Sequence, residues 1–287
     1  MSLEYWFMFP VSLLIATIAM ASGVGGATFF APVFLLGLRL PAEVAIGTGL
    51  ITEVFGFTSG LAAYIKRRLI DYRLGMALVV VAVPSTLVGA WLATRIPPDL
   101  LKVVLGMGLI TLAMSFLRAP EQRDVEQLDH TIDGENGPGA PDVTSLQTAQ
   151  GEVIRYTVCN RSEGRTIAAV GALFMGMISS GLGELNGYFL LQRCRVPSRV
   201  AAATSVFVVA ITALSAATSH FIHFLEAGPE VMDTVLSLVI FTVPGVILGG
   251  QLGPMVAARI SQKMLELGLG IVFLIVGGAI IAGQVMQ

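Results

Sequence analysis

Charge is what this chain has least of. Asp, Glu, Lys and Arg make up only 13% of its 287 residues, about half the share of an ordinary soluble domain. Residues 74–94, 234–258 and 267–286 contain no charged side chain at all. Histidine and cysteine are equally scarce, with three and two copies. An intramembrane hydrolase needs a nucleophile–base pair or converging metal ligands, and this set is poor material for either. Cys159 and Cys194 match no metal or redox spacing and are read as separate thiols. The opening MSLEYWF has no basic stretch ahead of the first apolar run, so that run is expected to be retained rather than cleaved. A net charge of −2 points to no nucleic-acid partner, and without an ATP-binding loop primary active transport would need another subunit.

What is present is apolar surface in unbroken blocks, with a mean hydropathy of +0.81 and 55% hydrophobic residues. Each uncharged block above reaches the ~20 residues that cross a hydrocarbon core as a helix. Residues 44–65 contain only Glu53, and residues 200–225 only His220 and His223. Ten-residue alternating segments, the signature of a membrane β-barrel, are absent. The pattern is that of an all-α polytopic membrane protein. Residues 118–165 differ: they hold five arginines, nine acids and the run GENGPGAPD. They read as a polar, flexible linker between a first membrane repeat, 1–117, and a second, 166–287.

The two halves echo each other. LPAEVAIGT at 40–48 matches VPSRVAAAT at 196–204, aligning Pro41 with Pro197 and Thr48 with Thr204. VPSTLVGAWLA at 83–93 matches VPGVILGGQLG at 243–253, with Ser85, Gly89 and Ala93 mirrored by Gly245, Gly249 and Gly253. Small residues four apart allow helix backbones to approach closely. Glycine clusters also recur, SGVGGATFFAP at 22–32 and SGLGELNGYFL at 180–190.

Arginine and lysine decide how the halves are arranged. Eight simple crossings would divide the 17 basic residues almost evenly, nine against eight. If each glycine cluster is instead a bend, residues 6–38 and 167–192 return to the side they entered from. One side then keeps only Arg39, Arg95 and Lys102, and the other holds the remaining 14. Basic residues favour the cytoplasmic side. The expectation is therefore two inverted repeats, each a glycine-broken helical hairpin plus three full transmembrane helices, with both termini outside and the linker in the cytoplasm.

Broken backbone at membrane depth is tolerated where it lines a cavity. There the freed N–H groups and the positive end of the following helix attract an anion without a cationic side chain. This makes Gly23, Gly25, Gly26 and Thr28 at the first bend, and Gly181, Gly183 and Asn186 at the second, candidate substrate-binding residues. Thr48, Thr204 and Ser205 are candidate hydroxyl donors beside them. Glu53 and Glu184 are the acids well inside predicted spans, and neither is mirrored: Glu53 aligns with Val209 and Glu184 with Gly26. Intramembrane carboxyls are candidates for proton coupling; for Glu184 the other reading is a neutral carboxyl capping bend amides. His220 and His223, one turn apart without a third ligand, are read as interfacial rather than metal-binding, and Trp6 as an interfacial anchor.

The glycine clusters, the Pro-led segments that follow them and the two Pro-then-Gly helices together resemble the TauE/SafE family of sulfite and sulfonate-related exporters. The resemblance covers both halves and leaves out the linker. It implies multi-pass transport of a small sulfur-containing anion (sulfite, sulfoacetate, thiosulfate or an organosulfonate) across the bacterial inner (plasma) membrane. The family's glycine motifs fall on Gly23, Gly25 and Gly26 and on Gly181 and Gly183. Glu184, Leu185 and Asn186 depart from the further glycines usual there. The functional expectation is a secondary transporter, an exporter driven by protons or membrane potential, rather than an enzyme. An anion channel is the alternative, with an intramembrane enzyme behind it. No metal or cofactor is expected; the partners are the sulfur anion and the bilayer, and homo-oligomerisation is compatible with the sequence.

Overall fold

The computed structural model describes residues 3–22, 26–117, 143–194, 196–257 and 262–285. Gly23 and Gly25 lie outside the described residues. In the first half, α1 (Met8–Ser22) is followed by α2 (Ala27–Pro32), whose last turn widens into a π-helical segment, Val33–Gly37. Then come α3 (Ala42–Arg67), α4 (Tyr72–Ala93) and α5 (Pro98–Leu117). The second half has α6 (Arg161–Ile178), α7 (Leu182–Gly187) with its π segment Tyr188–Arg193, α8 (Ser198–Ala227), α9 (Pro229–Ala257) and α10 (Gln262–Val285). Six of these helices, α3, α4, α5, α8, α9 and α10, are long and apolar enough to cross a membrane. The chain is a helical polytopic membrane protein.

One backbone pattern recurs in the two halves. Leu38 N–H donates to Val33 O and Leu40 N–H to Phe34 O; 156 residues on, Cys194 N–H donates to Phe189 O and Val196 N–H to Leu190 O. Each pair closes the wide turn that ends a short helix. Next comes Pro41 (φ −52°, ψ 142°) or Pro197 (φ −50°, ψ 133°), which starts the following long helix from an extended conformation. Helix pairing is exchanged between halves: α1 packs on α9, and α6 on α4, while α3 meets α8 and α5 meets α10. The Pro-then-Gly helices supply these close approaches. A Cβ on Gly89 or Gly176 would overlap backbone of the facing helix, at Leu173 and Thr86 respectively. A Cβ on Gly249 would overlap Leu13 of α1. With glycine at these points the backbones pack without side chains between them.

The second break is a hairpin. Ser179 (φ 59°) ends α6 in the left-handed region, and Gly181 (φ 117°) turns the chain into α7. Gly164 then faces Phe189, and Gly171 faces Leu182 and Leu185, so α7 runs back along α6. A disulfide between Cys159 and Cys194 ties together the two open ends of this hairpin. That corrects the reading of these cysteines as separate thiols. Their spacing along the chain says nothing about pairing, which arises only once the bend returns position 194 to position 159.

Among the described residues, the linker also folds in part. β1 (Val143–Gln147) and β2 (Val153–Thr157) form an antiparallel hairpin with Leu146 opposite Ile154 and Thr144 opposite Tyr156. Alternation buries Ile154 and Tyr156 against the helices. The Tyr156 phenol donates to Asp71 Oδ2 (2.7 Å), and Asp71 also caps α4 by accepting from Leu74 N–H (2.9 Å). Burial and the Asp71 carboxylate hold the Tyr156 hydroxyl protonated above the usual tyrosine range. At the hairpin's turn, Ala149 N–H donates to Arg67 O, and Glu152 pairs with Arg199 of α8. The hairpin is thereby fixed over the ends of α3 and α8.

Candidate functional site: a cavity between the two helix breaks

The two helix breaks meet. Ser179 Oγ, at the second, donates to Ile178 O (2.7 Å) and reaches Ala27 O (3.4 Å), at the first. Each break carries a carboxylate on a freed backbone N–H. Glu53, from the middle of α3, accepts from Ala27 N–H at 3.0 Å through Oε1. Glu184, one turn into α7, accepts from Gly181 N–H at 3.0 Å through Oε2. The first four N–H groups of a helix have no acceptor within it, and negative charge at that end is favourable. The same task is thus performed twice by acids at non-equivalent positions, which explains why neither is mirrored in the sequence.

Both acids line one cavity of about 430 Å³, together with Thr28, Ser179, Ser180 and Ser205. Three polar atoms around it are buried without a protein partner: Thr28 Oγ1, Ser180 Oγ and Glu53 Oε2. Orphaned buried polar atoms are rare, because each forfeits its hydration without replacement. Gathered around one cavity, they form a ready set of hydrogen-bonding groups. A second cavity, of about 470 Å³, shares Tyr64 and Ala202 with the first and is lined by Arg67, Arg199 and Gln150 of the β-hairpin.

Of the residues singled out in the sequence, the cavity collects Thr28, Gly181, Gly183, Ser205, Glu53 and Glu184. Gly26 sits beside Glu53 in a small adjoining void. Three others are placed elsewhere. Thr204 Oγ1 accepts from Asp71 N–H (3.1 Å) at the start of α4, a structural bond. Thr48 and Asn186 are buried with no side-chain partner, and neither lines the cavity. Ser179, Ser180, Tyr64 and the two arginines were missed. Ser180 opens the second glycine cluster and Ser179 precedes it, so both could have been read with it; the arginines registered only as topological charges. His220 is not interfacial: it is 1% exposed and its Nε2 bonds Gly176 O (3.1 Å). His223 instead pairs with Glu43 (2.7 Å). Among the described residues no three His, Cys, Asp or Glu side chains converge as metal ligands.

The repeated breaks, the exchanged helix pairing and the shared cavity coincide with a family model, sulfite exporter TauE/SafE, that matches residues 8–280. The chain belongs to the sulfite exporter TauE/SafE family. Two relatives carry transporter names. "Probable membrane transporter protein YunE" of Bacillus subtilis is 25% identical over 282 residues, covering 96% of each chain. "Probable membrane transporter protein ORF9" of Sinorhizobium sp is 25% identical over 224 residues, covering 71% of this chain and 85% of its own. No solved structure matches the chain. The family and these relatives are membrane transporters, not enzymes, and with six apolar helices this TauE/SafE member is a multi-pass protein of the bacterial inner membrane.

Proposed function

We propose that this TauE/SafE protein is a secondary transporter that exports a small sulfur oxyanion, such as sulfite, sulfoacetate, thiosulfate or an organosulfonate, by proton-linked alternating access. The observation that carries the reading is the cavity between the two breaks with its orphaned Thr28, Ser180 and Glu53 oxygens. When Glu53 is ionised, its charge opposes an anion in the cavity. When it is protonated, Oε1 still accepts from Ala27 N–H, and Oε2–H becomes a third hydroxyl donor beside Thr28 and Ser180. Proton and anion binding then favour each other, and the coupling is reciprocal. Glu184 acts in the same way at the second break.

We infer the membrane arrangement from the same contacts. Inverted repeats are supported by the pairing of each half's first helix with the third long helix of the other, and by the matched hydrogen bonds 156 residues apart. The β-hairpin and the disulfide share the face carrying most of the basic residues, so that face is assigned to the cytoplasm. The second cavity, with Arg67 and Arg199, serves as an electropositive vestibule on that side. The reading is tested by counterflow in proteoliposomes: saturable exchange of a sulfur oxyanion that strengthens at lower pH is expected. Flux that rises without saturation would identify a channel instead.

A further inference from the structure

Away from the central cavity, a second set of cations converges on a pocket of different character. It has a volume of about 230 Å³ and lies where the first turns of α4 and α6 meet β1. Its rim carries Arg73 of α4 with Arg161 and Arg165 of α6. Arg161 and Arg165 are four residues apart on one helix, so they present like charges on the same face. Nearby arginines of this face are paired, Arg193 with Glu163 and Arg199 with Glu152. These three have no acidic partner among the described residues. Asp71, the acid in the same pocket, is committed to Leu74 N–H and the Tyr156 phenol. The floor is apolar: Leu74 and Leu78 of α4 and Phe189 of the returning arm. Leu74 and Leu78 belong to a helix long and apolar enough to cross the membrane, with Arg73 in its first turn, whereas Arg161 and Arg165 lie in the first turns of α6.

From this juxtaposition of three arginines, in excess over the one carboxylate of Asp71 among the described residues, and an apolar floor, we infer a binding site for the phosphate of an anionic phospholipid. The phosphodiester is held by Arg73, Arg161 and Arg165, and the glycerol and first acyl carbons lie along Leu74, Leu78 and Phe189. Guanidinium groups match phosphate oxygens in bidentate geometry, and basic pockets between membrane helices select anionic headgroups. A soluble phosphate ester shares the headgroup chemistry but makes no use of the apolar floor. Because α6 begins the second hairpin, a lipid here bridges that hairpin to the first half of the molecule.

The test is lipid titration of the purified full-length protein in detergent, read by native mass spectrometry and by thermal unfolding. Phosphatidylglycerol, phosphatidylcholine and glycerol 3-phosphate are the three probes. Phosphatidylglycerol is expected to bind at least tenfold more tightly than phosphatidylcholine, and glycerol 3-phosphate to leave it undisplaced at millimolar concentration. The surface substitutions Arg161→Gln and Arg165→Gln together are expected to weaken phosphatidylglycerol binding by roughly tenfold or more, at about fivefold per cation. Arg165→Lys, which keeps the charge, should lose less than Arg165→Gln. The unfolding temperature without added lipid shows whether the variants are folded; if they are not, Arg73→Gln provides the same comparison from α4. Equal binding of the two lipids, or unchanged affinity in folded glutamine variants, overturns the site. Equal binding of glycerol 3-phosphate and phosphatidylglycerol overturns the assignment to lipid.

Discussion

Replacing Glu53 by Gln separates its two roles. Gln keeps an amide oxygen where Oε1 accepts from Ala27 N–H at 3.0 Å, so the break stays capped and stability should change by less than about 1 kcal/mol. What disappears is the ability to become charged. An ionised carboxylate in contact with an anion, at ~4 Å and an effective dielectric of ~20, opposes it by about 4 kcal/mol. The Ala27 N–H and the positive end of α2 offset part of that, leaving about 1.5–3 kcal/mol, or roughly ten- to a hundredfold in affinity. Titration calorimetry with thiosulfate, whose own charge is fixed across the range, should show wild-type affinity rising by that factor as pH falls. Glu53→Gln should bind more tightly than wild type at high pH and keep only the smaller pH dependence due to Glu184. Glu53→Leu leaves Ala27 N–H without its acceptor and should cost about 1–3 kcal/mol of stability. If Glu53→Gln binds thiosulfate with the pH profile and affinity of wild type, the proton-linked reasoning is wrong.

Other positions give sharp expectations. Tyr156→Phe leaves Asp71 Oδ2 unpaired in a buried site and should lower the unfolding free energy of the docked β-hairpin by about 1–3 kcal/mol, read as faster proteolysis of the linker. Because the folded-state phenol is held protonated, hairpin docking should be insensitive to this group below about pH 10 and weaken as pH rises above it. Gly176→Leu places a side chain against Thr86 backbone and must separate α4 from α6, costing more than the about 1–3 kcal/mol of ordinary overpacking; loss of folded yield on size-exclusion chromatography is the readout. In a Cys159→Ser, Cys194→Ser background, Ala140→Cys should react with a membrane-impermeant maleimide only after cells are permeabilised. Labelling in intact cells would reverse the assigned sidedness.

Fold class was legible because the apolar blocks are long and charge is confined between them. Of the bends, the second is described: glycine clusters alone read equally as packing sites, as Gly89 and Gly249 in fact are, and the arginine distribution was what pointed to a turn at Gly181. The carboxylates were legible as intramembrane charges, but their geometry was not. Glu53 reaches Ala27 from 26 residues away, a contact set by α2 folding back on α3, which no local pattern encodes. Thr204 misled because its alignment with Thr48 suggested a shared role, whereas its hydroxyl serves the α4 terminus. The β-hairpin was hidden by the polar sequence around it, since five-residue strands with two buried side chains barely register as alternation.

Binding of a sulfur oxyanion between the breaks is the property on which transport through this cavity depends. Gly183 faces the cavity, and a Cβ there meets only Val209 Cγ2, at an ordinary 3.7 Å. Gly183→Leu should therefore fold as wild type and fill the cavity. Calorimetric titration of both proteins at pH 6 with sulfite, thiosulfate, sulfoacetate and methanesulfonate is the decisive measurement. One saturable site per chain for at least one of these anions, abolished in folded Gly183→Leu, is the predicted result. No binding of any of them to wild type, or equal binding to the variant, would contradict it.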